Sequence, residues 1–220
     1  MNKEALYQER LARIKKTIHL EPVDHIPIAF LGPAFAPRYM GMPLATFCED
    51  AEAAFQVTLE AVKRLDVDAI NALVIGRFPV VLTLIWFSHI RVPGRELPPD
   101  ALWQVDEVEV MTPEDYDFIA EQGWQAFLNK HLPKVIDPAH LGESLDFMMA
   151  NASRGVPLFR ENGCVVIASG GVSIPFEAMC GARSMSKFFF DLYRMPDRVQ
   201  AAMDRALPEI IAGGIGMAKA

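Results

Sequence analysis

Short apolar runs alternate along this sequence with stretches of helical periodicity, and this alternation constrains the fold more than any other feature. The clearest runs are Ile26–Phe30, Asp66–Ile75 and Cys164–Ser169. Each run is of strand length and is followed within two residues by a glycine, which is typical of strand boundaries. Because strands that alternate with helices build βα units, the pattern predicts an α/β fold in which helices cover a parallel sheet.

Helical patterns occupy most of the chain between these runs. Apolar spacing, helix-capping residues and prolines at first helical positions indicate six helical segments. Their predicted positions are residues 4–19 within an N-terminal segment 1–22, the stretch after a capping box at 46–49, residues 112–127, and segments that start at 137, 184 and 196.

Three segments show neither a clear strand-like apolar run nor clear helical periodicity. Gly32, Pro33 and Pro37 predict a loop after the first strand. Phe78–Phe87 is the most apolar stretch, but it has about half the length of a membrane span, so we expect a buried strand and an apolar loop there. Val105–Val110 is expected to form a strand or one arm of a hairpin.

The length of the chain, 220 residues, suggests a single domain over residues 1–220, because the sequence contains neither an interdomain linker nor an internal repeat. Its net charge of −7 argues against non-specific binding to nucleic acid. The three cysteines are too few and too widely spaced for a disulfide framework, and no secretory signal is visible. We therefore expect a cytoplasmic protein without nucleic-acid or membrane partners.

The segments that follow the predicted strands hold the candidate site residues, because parallel α/β folds bind ligands at the carboxyl ends of their strands. Arg38 and Tyr39 follow the first strand, and Arg77 follows the second. Phe176 and Glu177 follow the third. Arg38 could bind a carboxylate through two hydrogen bonds, or it could be an ordinary surface arginine. Apolar neighbours flank Arg77, so this residue is either paired or at a pocket mouth, and we favour the mouth.

His89 is the histidine nearest to a predicted pocket mouth, although a structural role is the simpler interpretation. The sequence contains no CxxC, HxxxH or HExxH motif, so no metal ligands are assigned. It also lacks a GxGxxG motif, a P-loop and a GxSxG frame, so no catalytic residue is assigned. The residues alone indicate an enzyme-like α/β domain and no particular reaction.

Three segments of the sequence carry a resemblance to a known family. The first combines Glu9–Arg13 with Glu21–Pro27, a helix followed by a Glu-Pro-Val-Asp turn into the first strand. The second is Pro37–Tyr39. The third is Gly170–Asp204, with its Pro-Phe and Ser-Lys-x-Phe motifs. In their order and spacing these segments resemble the uroporphyrinogen decarboxylase superfamily.

The resemblance implies a (β/α)8 barrel of the TIM type, with its pocket at the carboxyl ends of the strands. Such a barrel needs about 250 residues. Eight strands are not visible in this sequence, so we expect the chain to be the N-terminal half of the barrel, or slightly more. The superfamily contains two activities: cofactor-free decarboxylation of uroporphyrinogen III, which is a tetrapyrrole, and methyl transfer that involves corrinoid (cobalamin) proteins.

Departures from the decarboxylase pattern favour the methyltransferase side of the superfamily. Decarboxylases carry an arginine ahead of the Arg-Tyr pair, an aspartate after the second strand and a tyrosine after the Pro-Phe motif. The corresponding segments Ala34–Tyr39, Gly76–Pro79 and Ala178–Arg183 lack these three residues. Phe87–Leu97 also looks more like the methyltransferases. The resemblance thus implies transfer of a methyl group to or from a corrinoid protein, with uroporphyrinogen decarboxylation as the alternative.

The resemblance also implies how cofactors and partners are used. A corrinoid is expected as a reaction partner rather than as a cofactor bound by this chain, and a small molecule is expected as the methyl donor. Zinc is expected only with a C-terminal half that supplies His and Cys ligands, so Cys164 and Cys180 receive no ligand role. Because half a barrel has open sheet edges, a third interpretation is a non-catalytic module that pairs with a complementary half or a second copy.

Overall fold

The computed structural model describes residues 2–72, 78–168 and 172–219 of the chain. Within these residues the helices are α1 Lys3–Ile18, α2 Phe35–Met40, α3 Leu44–Glu49, α4 Ala51–Leu65, α5 Phe78–Trp86, α6 Glu114–Gln122, α7 Trp124–His131, α8 Pro138–Glu161, α9 Pro175–Arg183, α10 Met185–Arg194 and α11 Pro196–Lys219. The strands are β1 Ala29–Phe30, β2 Ala69–Ala72, β3 His89–Arg91, β4 Gln104–Asp106 and β5 Val165–Ala168. A 3-10 turn, Leu132–Lys134, follows α7.

Strands β1, β2 and β5 form a parallel sheet in which β2 lies in the middle. Ala29 of β1 pairs with Ala69, and Ile70 pairs with Val166 of β5. Each of the three predicted strands therefore contains an observed one, and the parallel sheet agrees with the predicted α/β fold. Strands β3 and β4 form a separate antiparallel pair, which confirms a strand at the start of Val105–Val110. Closure into a (β/α)8 barrel stays a prediction.

The chain divides into two compact units. The first unit contains the parallel sheet, and its segments are Met1–Phe78, Pro93–Leu102 and Asp146–Gly170. The second unit contains β3 and β4, and its segments are Pro79–Val92, Trp103–Leu145 and Gly171–Ala220. Each unit has a hydrophobic core of its own. The single domain predicted over residues 1–220 stays a prediction.

The core of the first unit joins α4 to the parallel sheet. Phe55, Leu59 and Val62 of α4 are buried together with Ile70 of β2 and Phe159 of α8. This confirms an apolar helix face in that segment, because the spacing of the three α4 side chains places them on one side of the helix.

The helix start predicted at the capping box of residues 46–49 is wrong. Thr46 lies inside the short helix α3, and a new helix, α4, begins after Asp50. The Asp50 carboxylate accepts a hydrogen bond from the Ala53 backbone N–H (3.0 Å) and so caps α4. Aspartate satisfies the free N–H groups of a helix N-terminus as well as threonine does, so the motif alone does not locate the start.

Aromatic side chains dominate the core of the second unit. Phe87, Tyr116, Phe127 and Phe188 are fully buried there, and Trp124 is nearly so. The Phe127 ring stacks on Trp124 at a centroid distance of 5.1 Å and packs against Phe87 at 5.2 Å. These contacts tie α7 to the segment that follows α5.

A charged cluster ties α1 to the sheet of the first unit. We call the side chains of Glu9, Arg13, Asp24 and Asp68 the clasp. The buried Arg13 guanidinium donates to both carboxylate oxygens of Asp24 (2.8 and 2.9 Å), to Glu9 (2.7 Å) and to the buried Asp68. Asp68 also accepts a hydrogen bond from the Ile28 N–H (2.9 Å). Since Ile28 and Asp68 precede β1 and β2, the clasp holds the amino ends of these strands.

The loop predicted from Gly32, Pro33 and Pro37 is partly wrong, because residues Phe35–Met40 form α2. A proline is tolerated in this helix because Pro37 lies in the first turn, where its missing N–H has no helical partner to lose. Gly41 ends the helix in the left-handed conformation (φ 75°), which glycine adopts at little cost.

The strand and loop predicted for Phe78–Phe87 are also wrong, since this segment forms α5. A continuous apolar run of about nine residues fits a buried helix as well as a strand, because it has no periodicity that would separate the two. None of the helices in the described ranges combines the length and the hydropathy that a membrane span requires.

Two further differences concern helices of the second unit. The helix predicted over residues 112–127 is interrupted at Gly123 (φ 92°), which separates α6 from α7. The segment that holds Phe176 and Glu177 is α9, a helix without a counterpart among the predicted elements.

Candidate functional site

The carboxyl edge of the parallel sheet is where a ligand of an α/β protein is expected. Strand β1 ends at Phe30, β2 at Ala72 and β5 at Ala168. The chain that leaves β1 is described, and it turns directly into α2. Arg77, Gly170 and Gly171, which follow the other two strands, lie outside the described residues. The described part of this edge therefore consists of the end of β1 and of α2.

Three aromatic rings stand at this end of β1. The Phe35 ring meets Phe30 edge-on at a centroid distance of 6.0 Å. It also stacks on Tyr39 at 5.3 Å, with only 14° between the ring planes. Phe35 and Tyr39 are four residues apart on α2 and therefore share one helix face. We call Phe30, Phe35 and Tyr39 the aromatic platform.

The aromatic platform is open to solvent. Phe35 is 48% exposed and Tyr39 is 49% exposed, although both are large enough to be core residues. An exposed, flat aromatic surface at the ligand-binding edge of a sheet is suited to contact with a planar or apolar group. The prediction that Tyr39 is a site residue stays a prediction.

Arg38 is exposed beside the aromatic platform. Among the described residues its guanidinium donates one hydrogen bond, from Nη1 to the Asp100 carbonyl oxygen (3.2 Å). A guanidinium has five N–H donors, so most of them remain available to an anion. Arg38 and Tyr39 are consecutive, exposed residues of α2, so a guanidinium and an aromatic ring both lie near the end of β1.

Glu177 has a structural role in the second unit. One of its carboxylate oxygens accepts a hydrogen bond from the indole N–H of Trp86 (2.8 Å). The other lies 3.2 Å from the Ser173 hydroxyl, which is also 3.0 Å from the Ile85 carbonyl oxygen. These contacts join the first turn of α9 to the last turn of α5, and each carboxylate oxygen has a polar neighbour within hydrogen-bonding distance.

Phe176 and His89 also lie in the second unit. The Phe176 ring packs edge-on against the buried Phe188 at a centroid distance of 4.9 Å. His89 is half-buried on β3, and its Nδ1 lies 3.3 Å from the Val135 carbonyl oxygen. The predicted site residues therefore fall into two groups, Arg38 with Tyr39 in the first unit and the other described ones in the second.

A buried carboxylate–imidazole pair in the second unit has no counterpart among the predicted site residues. The carboxylate of Asp115 on α6 accepts a hydrogen bond from Nε2 of His131 on α7 (3.0 Å), and both side chains are almost fully buried. Asp115 also accepts from Lys130 Nζ (3.0 Å) and from the Thr112 N–H (2.8 Å). On the other side of the imidazole, Lys134 Nζ lies 3.0 Å from Nδ1.

Burial and neighbouring polar groups shift the pKa values of Asp115 and His131. Burial lowers the pKa of His131, and the nearby Asp115 carboxylate only partly offsets that effect. Burial alone would raise the pKa of Asp115, but hydrogen bonds from Thr112 and Lys130 outweigh it and leave this pKa below its ordinary value. At neutral pH the carboxylate is therefore ionised and the imidazole is neutral.

No local sequence signal reveals this pair. Asp115 and His131 are 16 residues apart on two helices, and only the packing of α6 against α7 brings them together. The Thr-Pro-Glu-Asp helix start places Asp115 in a first turn, but it does not indicate a partner.

The cysteines are poorly suited to bind a metal or to act as nucleophiles. Burial raises the pKa of Cys48 to about 12 and that of Cys164 to about 11, and it also raises the pKa of Cys180. Thiolates are the reactive and metal-binding form, and these thiols stay protonated at neutral pH. The described part of the chain contains no group of three or more His, Cys, Asp or Glu side chains that could hold a metal ion.

A comparison with protein families finds a match in the N-terminal region of the chain. Residues 9–75 match the family model of uroporphyrinogen decarboxylase (URO-D). This region is similar to the uroporphyrinogen decarboxylase family, and the match covers less than half of the chain. The resemblance predicted from the sequence is thereby confirmed for the N-terminal part of the chain. No curated protein and no solved structure matches the chain significantly.

The match to the uroporphyrinogen decarboxylase family covers the clasp, the aromatic platform and Arg38. All of them lie between residues 9 and 75, on α1, in the segment between α1 and β1, on β1 and α2, or directly before β2. His89, Phe176 and Glu177 lie outside the match. The family match therefore concerns residues of the first unit only.

Proposed function

We propose that this chain is the N-terminal part of a (β/α)8 barrel of the uroporphyrinogen decarboxylase superfamily, and that it takes part in methyl transfer between a small-molecule donor and a corrinoid protein. One observation carries the choice of reaction: the segment after β2, residues 73–79 (LVIGRFP), has no acidic residue. Decarboxylases carry there the aspartate that accepts hydrogen bonds from the pyrrole N–H groups. Without it, a bound tetrapyrrole would leave buried donors unpaired, which is costly.

In this proposal the first unit binds and orients the small-molecule substrate. Arg38 holds an anionic group of the substrate through charge-assisted hydrogen bonds, since most of its donors face solvent. The aromatic platform supports the apolar part of the same molecule, with Tyr39 beside Arg38. The chain's own residues thus position the donor, and the corrinoid protein is the partner that receives or supplies the methyl group.

Zinc is not assigned to this chain. A zinc site of the kind used by the methyltransferases needs thiolate or imidazole ligands that converge on one point. Cys48, Cys164 and Cys180 do not fit that requirement, because burial keeps all three protonated at neutral pH. No step of the proposed reaction therefore runs through a metal held by these residues.

The proposal is tested by assaying this chain together with a chain that supplies the remaining strands. Formation or consumption of methylcobalamin is followed by its visible absorbance, with a panel of methyl donors. We expect turnover that depends on both chains. The proposal is overturned if no methyl donor turns over while uroporphyrinogen is decarboxylated by the same preparation.

Uroporphyrinogen decarboxylation is the second candidate, and Arg38 with Tyr39 favours it. The substrate carries eight carboxylates, and an exposed arginine beside a stacked aromatic pair suits such a ligand. The discriminating measurement is loss of carboxylate groups from uroporphyrinogen, quantified by chromatography of the oxidised porphyrins. Product with fewer carboxylates would support this candidate over methyl transfer.

A non-catalytic assembly module is the third candidate, and the sheet favours it. Among the described strands, β1 and β5 each pair with β2 alone, so each has one edge without a described partner. Unpaired strand edges favour association with another chain. Sedimentation velocity tests this candidate, because a stable monomer that binds neither a complementary half nor a corrinoid protein would contradict it.

Replacement of Arg38 by methionine is expected to impair substrate binding and to leave folding intact. Loss of hydrogen bonds to a charged group costs about 1.5–3 kcal/mol, which corresponds to a roughly 10- to 150-fold rise in KM for an anionic substrate. The melting temperature should not change, because Arg38 is exposed and bonds only to the Asp100 carbonyl among the described residues. Arg64→Met, on the exposed face of α4, is the matched control and should leave KM unchanged. A KM that Arg38→Met does not alter contradicts the assignment.

A further inference from the structure

The turn Leu132–Lys134 directly follows His131, the last residue of α7. Both ring nitrogens of His131 lie within hydrogen-bonding distance of another side chain. An ionised carboxylate only accepts and an ammonium only donates, so the neighbours of His131 define its tautomer. Nε2 carries the hydrogen and donates to Asp115, while Nδ1 is the acceptor for Lys134 Nζ (3.0 Å). This arrangement exists only while the imidazole is neutral.

We propose that the turn Leu132–Lys134 is a pH-sensitive latch, closed while neutral His131 accepts a hydrogen bond from Lys134 and opened when His131 takes up a proton. Protonation places a hydrogen on Nδ1, so the lone pair that receives the Lys134 N–H is lost. It also sets an imidazolium next to an ammonium. Lys134 is exposed and can turn into solvent, whereas His131 is held by burial and by Asp115.

In the described part of the chain, the charged groups around His131 come from three elements. Asp115 on α6 faces Nε2, Lys130 on α7 contacts the same carboxylate, and Lys134 on the turn faces Nδ1. Helix α11 also packs against α7, but its Glu209 accepts from the Gln125 N–H, at the opposite end of that helix. Asp115 favours the protonated imidazole, and the two lysines oppose it.

The latch is connected to β3 through Val135, the residue that follows the turn. The Val135 N–H and the Ile136 N–H both donate to the Leu132 carbonyl oxygen (3.0 and 3.2 Å) and so close the turn. The Val135 carbonyl oxygen in turn lies 3.3 Å from Nδ1 of His89 on β3. Opening of the turn is therefore expected to loosen the support of His89. This inference is independent of the proposed reaction.

The latch is tested by NMR of the full chain labelled with ¹⁵N, titrated from pH 8 to pH 5. We expect the His131 imidazole and the amides of Val135 and Ile136 to shift together, with one midpoint below the ordinary histidine pKa of about 6.5. In Lys134→Met the coupled step in the two amides should be lost, while His131 itself still titrates, at a higher pH.

Lys130→Met is the matched control, because it removes an ammonium near the pair without touching Nδ1. It should raise the midpoint of His131 and retain the coupled step in the amides. The proposal is overturned if the amides of the wild-type turn do not follow His131, if they follow His89 instead, or if the step survives in Lys134→Met.

Discussion

Replacement of Gly181 by alanine is expected to destabilise the protein by about 3 kcal/mol or more. Gly181 lies in the last turn of α9, where the helix passes over the last residue of α5. A Cβ atom at this position would overlap the carbonyl oxygen of Trp86, and it would lie 2.5 Å from the carbonyl carbon and 3.2 Å from the Cα of the same residue. Backbone atoms cannot move aside as a flexible side chain can, so one helix must shift.

The local contacts make such a shift costly. The Ser88 hydroxyl lies within hydrogen-bonding distance of both carbonyl oxygens, that of Trp86 (3.2 Å) and that of Gly181 (3.4 Å). Glu177 adds its hydrogen bond from the Trp86 indole N–H (2.8 Å). Moving α9 away from α5 therefore breaks several contacts at once and opens the aromatic core around Phe87.

Thermal unfolding followed by circular dichroism measures the effect. For a chain of this size, 1 kcal/mol corresponds to about 2–4 °C in Tm, so Gly181→Ala should lower Tm by roughly 6–12 °C or prevent folding. Gly213→Ala is the matched control, because it lies in α11 with nothing within 4 Å of the added Cβ. It should raise stability by about 0.5–1 kcal/mol. A Gly181→Ala variant as stable as the wild type would refute the close approach of α9 and α5.

The elements that the sequence predicts well are those whose signals act within a few residues. Helix α1 and the start of α6 agree with the predicted segments, and so do α10 and the start of α11. Apolar spacing and helix-start residues determine such elements before any tertiary contact forms. Tertiary packing decides the cases that local signals leave open, such as the apolar segment that became α5 rather than a strand.

The residues of the candidate site also differ in whether the sequence alone could predict them. The sequence selects Arg38 and Tyr39 because they follow a strand and the carboxyl edge of a parallel sheet binds ligands, and their role stays a prediction. Asp115 and His131 are not selected, since only the packing of α6 on α7 joins them. Glu177 is predicted as a site residue, but its hydrogen bonds to Trp86 and Ser173 give it a structural role in the described chain.

Some of the residues that carry the family resemblance lie away from the candidate site. Arg13 and Asp24 belong to the motifs of the opening helix and of the turn into the first strand, and both are members of the clasp. The clasp lies at the amino ends of the strands, whereas parallel α/β proteins bind their ligands at the carboxyl ends. The family match is therefore stronger support for the fold of the first unit than for any one reaction.

Replacement of Arg13 by leucine is expected to cost about 3–5 kcal/mol in the free energy of unfolding, because it leaves a buried carboxylate without its counter-ion. Only 6% of each side chain, Arg13 and Asp68, is exposed. Without the guanidinium, the Ile28 N–H is the remaining close donor to Asp68 among the described residues, with His25 Nε2 at 3.8 Å.

A second substitution separates the charge effect from the loss of packing. Asp68→Asn removes the charge but keeps an oxygen that can accept from the Ile28 N–H. The double variant Arg13→Leu/Asp68→Asn should therefore be less destabilised than the sum of the two single variants, by at least about 1 kcal/mol. Arg64→Leu breaks an exposed ion pair with Glu60 (3.3 Å) on α4, and as the matched control it should cost less than about 1 kcal/mol.

The pH dependence of stability gives an independent measure of the clasp. The Arg13 guanidinium holds the pKa of Asp24 well below its ordinary value. A carboxyl group whose pKa is lowered by folding stabilises the folded state above its unfolded pKa, and this contribution is lost as the pH falls towards the folded pKa. Urea unfolding of the wild type should therefore show a stability that declines below about pH 4, and Arg13→Leu should show a shallower decline. If the stability of the wild type and that of Arg13→Leu fall equally with pH over this range, no ion pair between Arg13 and Asp24 joins α1 to the turn. The clasp would then be a packing contact alone.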